Sequence, residues 1–253
     1  AAGKTALTRG RVLSPRDIGV AAAVGADRVS VVKRPRIGII STGNELVAVA
    51  ETPGPGEVRD ANSYLAGAFV TERGCHPVYF GIVRDERPML KKAVASALGQ
   101  CDAVLVSGGS SKDERDNTAA IIAELGEVLV HGIALAPGKP TIIGTARDKP
   151  VIGLPGHPAS AYVVLVAVVD HLLAAMRDTT VSRRTISARL TQNISSTRGR
   201  EDYVRVSLRD GEATPVFGKS GLLNTLVQSE GLVRVPASSE GLEVGEEVEV
   251  ILW

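Results

Sequence analysis

From Arg36 to Met176 the chain repeats one rhythm: a short apolar run, a loop of small residues, then a stretch with helical spacing. Parallel neighbours in a sheet need a crossover long enough to hold a helix, so this alternation implies a largely parallel sheet flanked by helices on both faces. Ile37 to Ser41, Val78 to Val83, Ala103 to Val106 and Glu127 to His131 read as strands, and Thr141 to Gly144 with Val151 to Gly153 as a strand or hairpin. Helices are predicted over Ser63 to Glu72 behind an Asp60 cap, Glu86 to Leu98, Asn117 to Leu125 and Pro158 to Met176. The last is apolar but interrupted by Asp170 and His171, and no apolar run reaches the roughly 18 to 20 residues that span a bilayer.

Two flanking regions break the rhythm. In Ser14-Pro15-Arg16-Asp17 a hydroxyl residue, a proline and a carboxylate fall where a helix start favours them, and the helix runs on to Gly25. Val29 to Val32 reads as a strand, which Lys33-Arg34-Pro35 ends. After about Asp178 the spacing turns to short alternating runs: Thr185 to Leu190, Asp202 to Leu208, Thr214 to Phe217, Gly231 to Val235 and Glu246 to Leu252. The expected organisation is an α/β domain over residues 35–178 and a small C-terminal β-barrel or sandwich over 179–253. Residues 1–34 read as the remnant of a preceding linker or N-terminal domain, because the chain opens at Ala1 without Met.

Composition narrows the function classes. Aromatic residues make up 3% of the chain and the net charge is +1, which disfavours nucleic acid: there is neither a base-stacking surface nor a basic stripe. Cys75 and Cys101 lack metal-site or disulfide spacing and read as small buried hydrophobes. No signal peptide opens the chain, so a cytoplasmic setting away from the membrane is expected.

Three loops carry the chemistry: Ser107-Gly108-Gly109-Ser110-Ser111, Ala136-Pro137-Gly138-Lys139-Pro140 and Leu154-Pro155-Gly156-His157-Pro158. Each adjoins a predicted strand, and small residues let backbone N–H groups approach an anion, so the set points to a phosphate-bearing ligand at several strand ends. Glu45, Asp85, Asp113, Glu114 and Asp116 lie near the same ends; Asp85 and Asp116 read equally as helix caps and as ligands of a divalent metal. Lys139 is a fixed positive charge suited to an oxyanion, although its loop does not match the P-loop pattern. His157 reads as a loop-packing residue, and neither Gly-x-Ser-x-Gly nor a Ser-His-Asp arrangement can be drawn.

Ser-Thr-Gly-Asn-Glu-Leu at 41–46, Asp60-Ala61-Asn62-Ser63, Gly81 to Asp85, Ser107-Gly108-Gly109, Pro137-Gly138-Lys139-Pro140 and Gly-Leu-Pro-Gly-His-Pro-Ala-Ser at 153–160 occur in one order. In that order the chain resembles the MoeA family of molybdopterin molybdenumtransferases, whose relatives include the E domain of gephyrin. The resemblance implies molybdenum cofactor biosynthesis: molybdate enters adenylated molybdopterin, AMP leaves, and Mg²⁺ assists. By similarity Thr42, Gly43, Ser107 to Ser111, Pro137, Gly138, Pro155, Gly156, Pro158 and Ser160 would cradle the pterin phosphate and adenylate. Asp85 and Asp116 would hold the metal, Glu45 would orient it, and Ser111, Lys139, Arg200 and Ser220 would surround molybdate. Family members carry a preceding segment that helps form a homodimer. Ala136 stands where members commonly have Lys or Arg, and residues 110–116 depart from the usual Val-Ser-x-Gly loop. Those departures keep open a tungstate-preferring insertase or a non-catalytic pterin-binding scaffold; a related adenylyltransferase fits less well, because it lacks the trailing β domain.

Overall fold

The computed structural model describes the backbone of residues 3–108 and 112–253 and the side chains of 3–108 and 117–253. Six strands form the central sheet: β1 Arg36–Thr42, β2 His76–Val83, β3 Ala103–Ser107, β4 Gly126–His131, β5 Ile142–Ala146 and β6 Lys149–Leu154, in the order β2-β1-β3-β6-β5-β4. β2, β1, β3 and β6 are mutually parallel, and β5 runs antiparallel to both β6 and β4. The reversal is local: Arg147 and Asp148 take left-handed backbone conformations, with φ of 50° and 61°, which close a two-residue hairpin. The strand-or-hairpin segment of the sequence is thus a hairpin inside an otherwise parallel sheet.

Helices cover both faces: α1 Pro15–Ala23 precedes the sheet, followed by α2 Asn62–Glu72, α3 Arg87–Gln100, α4 Lys112–Leu125 and α5 Pro158–Met176. Strand side chains alternate between two cores. Ile37, Ile39, Ala103, Leu105 and Ile152 meet α2 and α5 through Phe69, Val70, Val163 and Leu173. Ile40, Val104, Val106 and Val151 meet α3 and α4 through Leu90, Val94, Ile121 and Ile122.

Contrary to the reading of spanning lengths, Pro158–Met176 is 19 residues long with mean hydropathy 1.9, and burial within the protein accounts for its apolarity. Five of its residues, Leu165–Val169, form a π-helical turn. Arg183 Nη2 donates to the Val166 carbonyl there at 2.6 Å, which satisfies an acceptor the altered ladder exposes. Asp170 does not end the helix. Its buried carboxylate accepts from Nε of Arg73, the residue that follows α2, at 2.8 Å and lies 3.6 Å from Arg183 Nε, an ion pair without a hydrogen bond. Arg73 also stacks its guanidinium over Phe69, 4.5 Å from the ring centroid.

The C-terminal strands, β7 Thr185–Leu190, β8 Glu201–Arg209, β9 Glu212–Pro215, β10 Gly231–Val235 and β11 Glu247–Leu252, run in the order β9-β7-β11-β10-β8. Pairing of β8 with β9 closes this sheet into a five-stranded barrel, deciding between the barrel and sandwich expected from the sequence. Ala188, Leu190, Val206, Val233, Val235 and Val250 fill it. Several contacts join barrel and sheet, two of them seams outside the loops. Leu135 and Ala136 pair in parallel with Glu201 and Asp202, and Trp253 stands edge-on to Tyr162 of α5 at 5.0 Å. A short helix, α6 Asn224–Val227, sits in the loop between β9 and β10. Arg205 of β8 anchors that loop: its buried guanidinium donates to the Gly218 carbonyl at 3.0 Å, and burial pushes its pKa down.

Several local expectations change. Val29 to Val32 forms no strand; Val31 is 67% exposed, and β-propensity alone does not make a strand without a neighbour to pair with. Asp85 is not the cap of α3, whose N-cap is Glu86 in extended backbone without a side-chain bond. α4 begins at Lys112, so Asp116 lies within the helix and not ahead of it. β9 ends at Pro215, two residues short of the Phe217 expected. The start of α1 forms as read, with Ser14 and Asp17 in a reciprocal capping box.

Asp170→Asn removes a buried charge and leaves two arginines facing it, so it is expected to lower stability by about 3 kcal/mol. Denaturant unfolding measures this as a lower midpoint at unchanged slope; a shift of under about 0.5 kcal/mol would show that the triad contributes nothing net.

Candidate functional site

The strand ends are level. Ser41 of β1 is in register with Ser107 of β3, and Ser107 with Leu154 of β6, so three neighbouring parallel strands release their loops at one height. A crevice outside the carboxyl ends of parallel strands is where such sheets bind ligands. Here it is a cavity of about 600 Å³. Ser107, Gly108, Gly156, His157 and Pro158 line one side, from the first and third glycine loops. Glu45, Leu46 and the segment Glu57 to Asn62 line the other, while Gly221 and Leu223 of the barrel loop close the third.

α2 ties these walls together. Asn62, its first residue, donates through Nδ2 to Ser107 Oγ at 2.9 Å and to the Gly156 carbonyl at 2.8 Å, bridging the first and third loops. Asp60 Oδ1 accepts from the Ser63 N–H at 3.1 Å and so caps the helix as predicted. Asn62 was legible only as part of Asp60-Ala61-Asn62-Ser63; an Asp-x-Asn at a helix start reads as capping, and nothing in the spacing marks the amide as a bridge. Ser41 Oγ, Thr42 Oγ1 and Asn62 Oδ1 are buried without partners at this level.

Glu45 lies in the cavity wall for a specific backbone reason. Gly43 has φ of 153°, and a Cβ there would stand 2.8 to 3.0 Å from the Glu45 carboxylate, which folds back over the glycine. On the far side of this turn Asp85 is half-buried: its N–H donates to Asn44 Oδ1 at 3.3 Å, and its Oδ1 accepts from Asn117 Nδ2 of α4, also at 3.3 Å. Asp85 thus faces the helix residue that follows Asp116. Among the described residues no three His, Cys, Asp or Glu side chains gather into a complete protein-made metal site. Mg²⁺ keeps most of its waters and needs only one or two carboxylates, so the single carboxylate of Asp85 fits that hard cation.

The second loop lies elsewhere. Gly138, with φ of 140°, is buried with its absent Cβ 2.9 Å from Val164 of α5 and 3.0 Å from Leu135, so this glycine serves packing and not ligand approach. Pro137, Gly138 and the exposed Lys139 are outside the cavity lining, as is Arg200. Arg200 sits on the barrel side of the same seam and grips Asp202 with Nε at 2.9 Å and Nη2 at 3.2 Å. Ser220 connects the two places: its carbonyl accepts from the Ala159 N–H at 3.0 Å, and its Oγ lies 3.0 Å from His157 Nδ1. The first bond occupies the Ala159 N–H in the first turn of α5, and the second holds His157, which also lines the cavity, against the barrel loop. Pro155 and Ser160 are buried at the head of α5. Gly109, Ser110 and Ser111 lie outside the described residues, as do the side chains of Asp113, Glu114 and Asp116.

Comparison with known proteins matches the geometry. The family model described as "Probable molybdopterin binding domain" covers residues 38–175, and that of the MoeA C-terminal region, domain IV, covers residues 187–253. Two solved structures of the molybdopterin biosynthesis MoeA protein from Pyrococcus horikoshii superpose with TM-scores of 0.87 and 0.84 at 36% and 27% identity, over 97% and 99% of this chain. They are matched over 61% and 62% of their own lengths. Molybdopterin molybdenumtransferase 1 of Mycobacterium tuberculosis is 33% identical over 98% of this chain and 61% of its own length. The chain therefore spans about three fifths of the curated relatives it matches.

Gly43→Ala sets a Cβ against the Glu45 carboxylate and is expected to cost about 1 kcal/mol of stability. Adding Glu45→Ala should return only a small part of it, because a φ of 153° strains a residue with a Cβ whatever the space and the carboxylate ends a flexible side chain that can swing away; full recovery in a double-mutant cycle would show that the carboxylate and not the backbone sets the cost.

Proposed function

Because this chain belongs to the MoeA family, we propose that it carries the site at which molybdate is inserted into adenylated molybdopterin, with Mg²⁺-dependent release of AMP. The observation that supports this most is the level set of strand ends around one cavity in a domain matched by the molybdopterin-binding model. An adenylated pterin is long and anionic in its middle, and small residues along one wall let it approach the backbone closely.

In this reading Gly108 and Gly156 admit the ligand's phosphate region, and Glu45 and Asp85 stand on its flank, where a bound metal would offset their charge. Mg²⁺, when bound, would neutralise charge on the leaving adenylate. Asp85 and Asp116 would hold it, Asp85 being already oriented through Asn117. Lys139 would offer molybdate a fixed positive charge, and the Ser220 and Ser111 hydroxyls would donate to it. Arg200 is 45% exposed along its side chain although paired with Asp202, so it retains N–H donors for the oxyanion. The acceptor oxygens of molybdate match these hydroxyl and cationic donors, and the dithiolene sulfurs come from the ligand. The same reading makes the working form a cytoplasmic homodimer, which the exposed apolar side chains Ile18, Val24, Val31 and Val32 support; a sedimentation mass of a single chain would remove that part.

The test uses the whole protein that carries this chain, incubated with adenylated molybdopterin, molybdate and Mg²⁺. AMP release that requires both molybdate and the metal is expected. Asp85→Asn should lower it about 100-fold, a barrier change near 2.7 kcal/mol, without changing the melting temperature. Tight molybdopterin binding with no AMP release would assign the protein to the binding-scaffold class, and wild-type turnover in Asp85→Asn would take Asp85 out of the metal site.

A further inference from the structure

His157 and Ser220 share a hydrogen bond whose direction the fold leaves open. His157 stands at the N-cap of α5 and lines the cavity. Its Nδ1 lies 3.0 Å from Ser220 Oγ on the barrel loop, and a Cβ on Gly221 would stand 3.7 Å from its Cδ2, so the imidazole rests against two successive residues of that loop. His157 is exposed and Ser220 half-buried, so the bond lies at the surface, open to a ligand and to protons from solvent. A serine hydroxyl has one proton and two lone pairs, whereas a ring nitrogen either donates or accepts. When Nδ1 accepts, the Ser220 proton is spent on the ring and Oγ offers only lone pairs outward. When Nδ1 carries a proton and donates, Oγ keeps its own proton for another acceptor.

We infer that His157 sets the donor polarity of Ser220, so that an oxyanion binds at Ser220 together with a proton on the imidazole. This rests on the reading that Ser220 donates to molybdate. The anion has only acceptor oxygens, so it requires the Ser220 proton, and Nδ1 must then donate to Oγ. A proton from solvent added at Nδ1 produces that state without breaking any bond in the protein, and the negative charge of the anion favours the charged ring over the neutral one. Lys219, next to Ser220, and the positive end of α5 oppose charge on the imidazole, as do Arg59 in the cavity wall and Lys139 and Arg200, the other cations of the oxyanion reading. Glu45, Glu57 and Asp60 across the cavity favour it. His157 forms no ion pair with these groups, which leaves the arriving anion to tip the balance. His157 is thus a positioning residue that acts through Ser220.

The test is calorimetric binding of molybdate to the whole protein that carries this chain, in buffers of unlike ionisation enthalpy, between about pH 5.5 and 8. Binding should take up as much as about one proton per anion, and affinity should fall about 10-fold as the pH rises, since the proton needed at the ring becomes scarcer. His157→Asn keeps a side-chain N–H that can donate to Ser220, so it should still bind molybdate while losing both the proton uptake and the pH dependence; a ring that only packs the loop would leave the wild-type profile unchanged. Ser220→Ala should bind more weakly and also lose the coupling. The full pH slope in either variant overturns the inference, because another group would then be titrating. Should a variant fail to fold, the wild-type protein still decides: molybdate binding with no proton uptake and a flat profile overturns the inference and leaves the oxyanion reading intact. No molybdate binding by the wild type at any pH overturns both.

Discussion

A single buried carboxylate in an apolar helix organises much of this molecule. Asp170 lies mid-way along α5, where burial of an unpaired charge would be prohibitive, so the helix can stay buried only if cationic partners reach it. Arg73 comes from the end of α2 and Arg183 from the approach to the barrel, which forces three elements distant in sequence to meet at one point. Arg183 also takes the Val166 carbonyl of the π-helical turn, so the irregularity in the helix and the charge are served by one side chain. The head of α5, with Gly156 and His157, is therefore fixed relative to both α2 and the barrel. Asn62 at the start of α2 and Ser220 on the barrel loop can then meet it at hydrogen-bond distances.

The glycines of the three loops divide by physical role. Gly43 leaves room for a folded-back carboxylate, and Gly108 and Gly156 line the cavity directly. Gly138 is filled around by Val164 and Leu135, so its small size lets the second loop lie flat on α5 beside the barrel seam. A shared composition of Gly, Pro and Ser therefore conceals two functions, a lining for the crevice and a clamp between sheet and barrel.

How much of this was legible follows from the range of the interactions. The alternation of strand and helix, the Ser14 and Asp17 capping box and the Asp60 cap are local, and each was readable because its physics is contained within a few residues. Val29 to Val32 had the composition of a strand and lacked an edge to join, which no local pattern records. Asp85 looked like a cap because it precedes α3, yet its bond is to Asn117, 32 residues away. Asp170 read as an interruption of an apolar helix for the same reason, since the arginines that make it tolerable are remote in sequence. Nothing local gives Asn62 a role, because its partners lie on two loops that only the folded sheet brings side by side.

The separation between cavity and seam bears on how one ligand could use both. Lys139 and Arg200 flank the seam where Ala136 pairs with Asp202, whereas Asn62, Glu45 and Gly108 surround the cavity. Ser220 and His157 stand between them, joined to each other and to the first turn of α5. A compact anion could occupy only one of these places. An elongated ligand can span from the cavity toward the cations, with the Ser220 and His157 contact as the point of passage. Because Arg205 holds the Gly218 carbonyl two residues before Ser220, the barrel sets the height of that passage, which gives the C-terminal domain a part in the site without supplying the cavity floor.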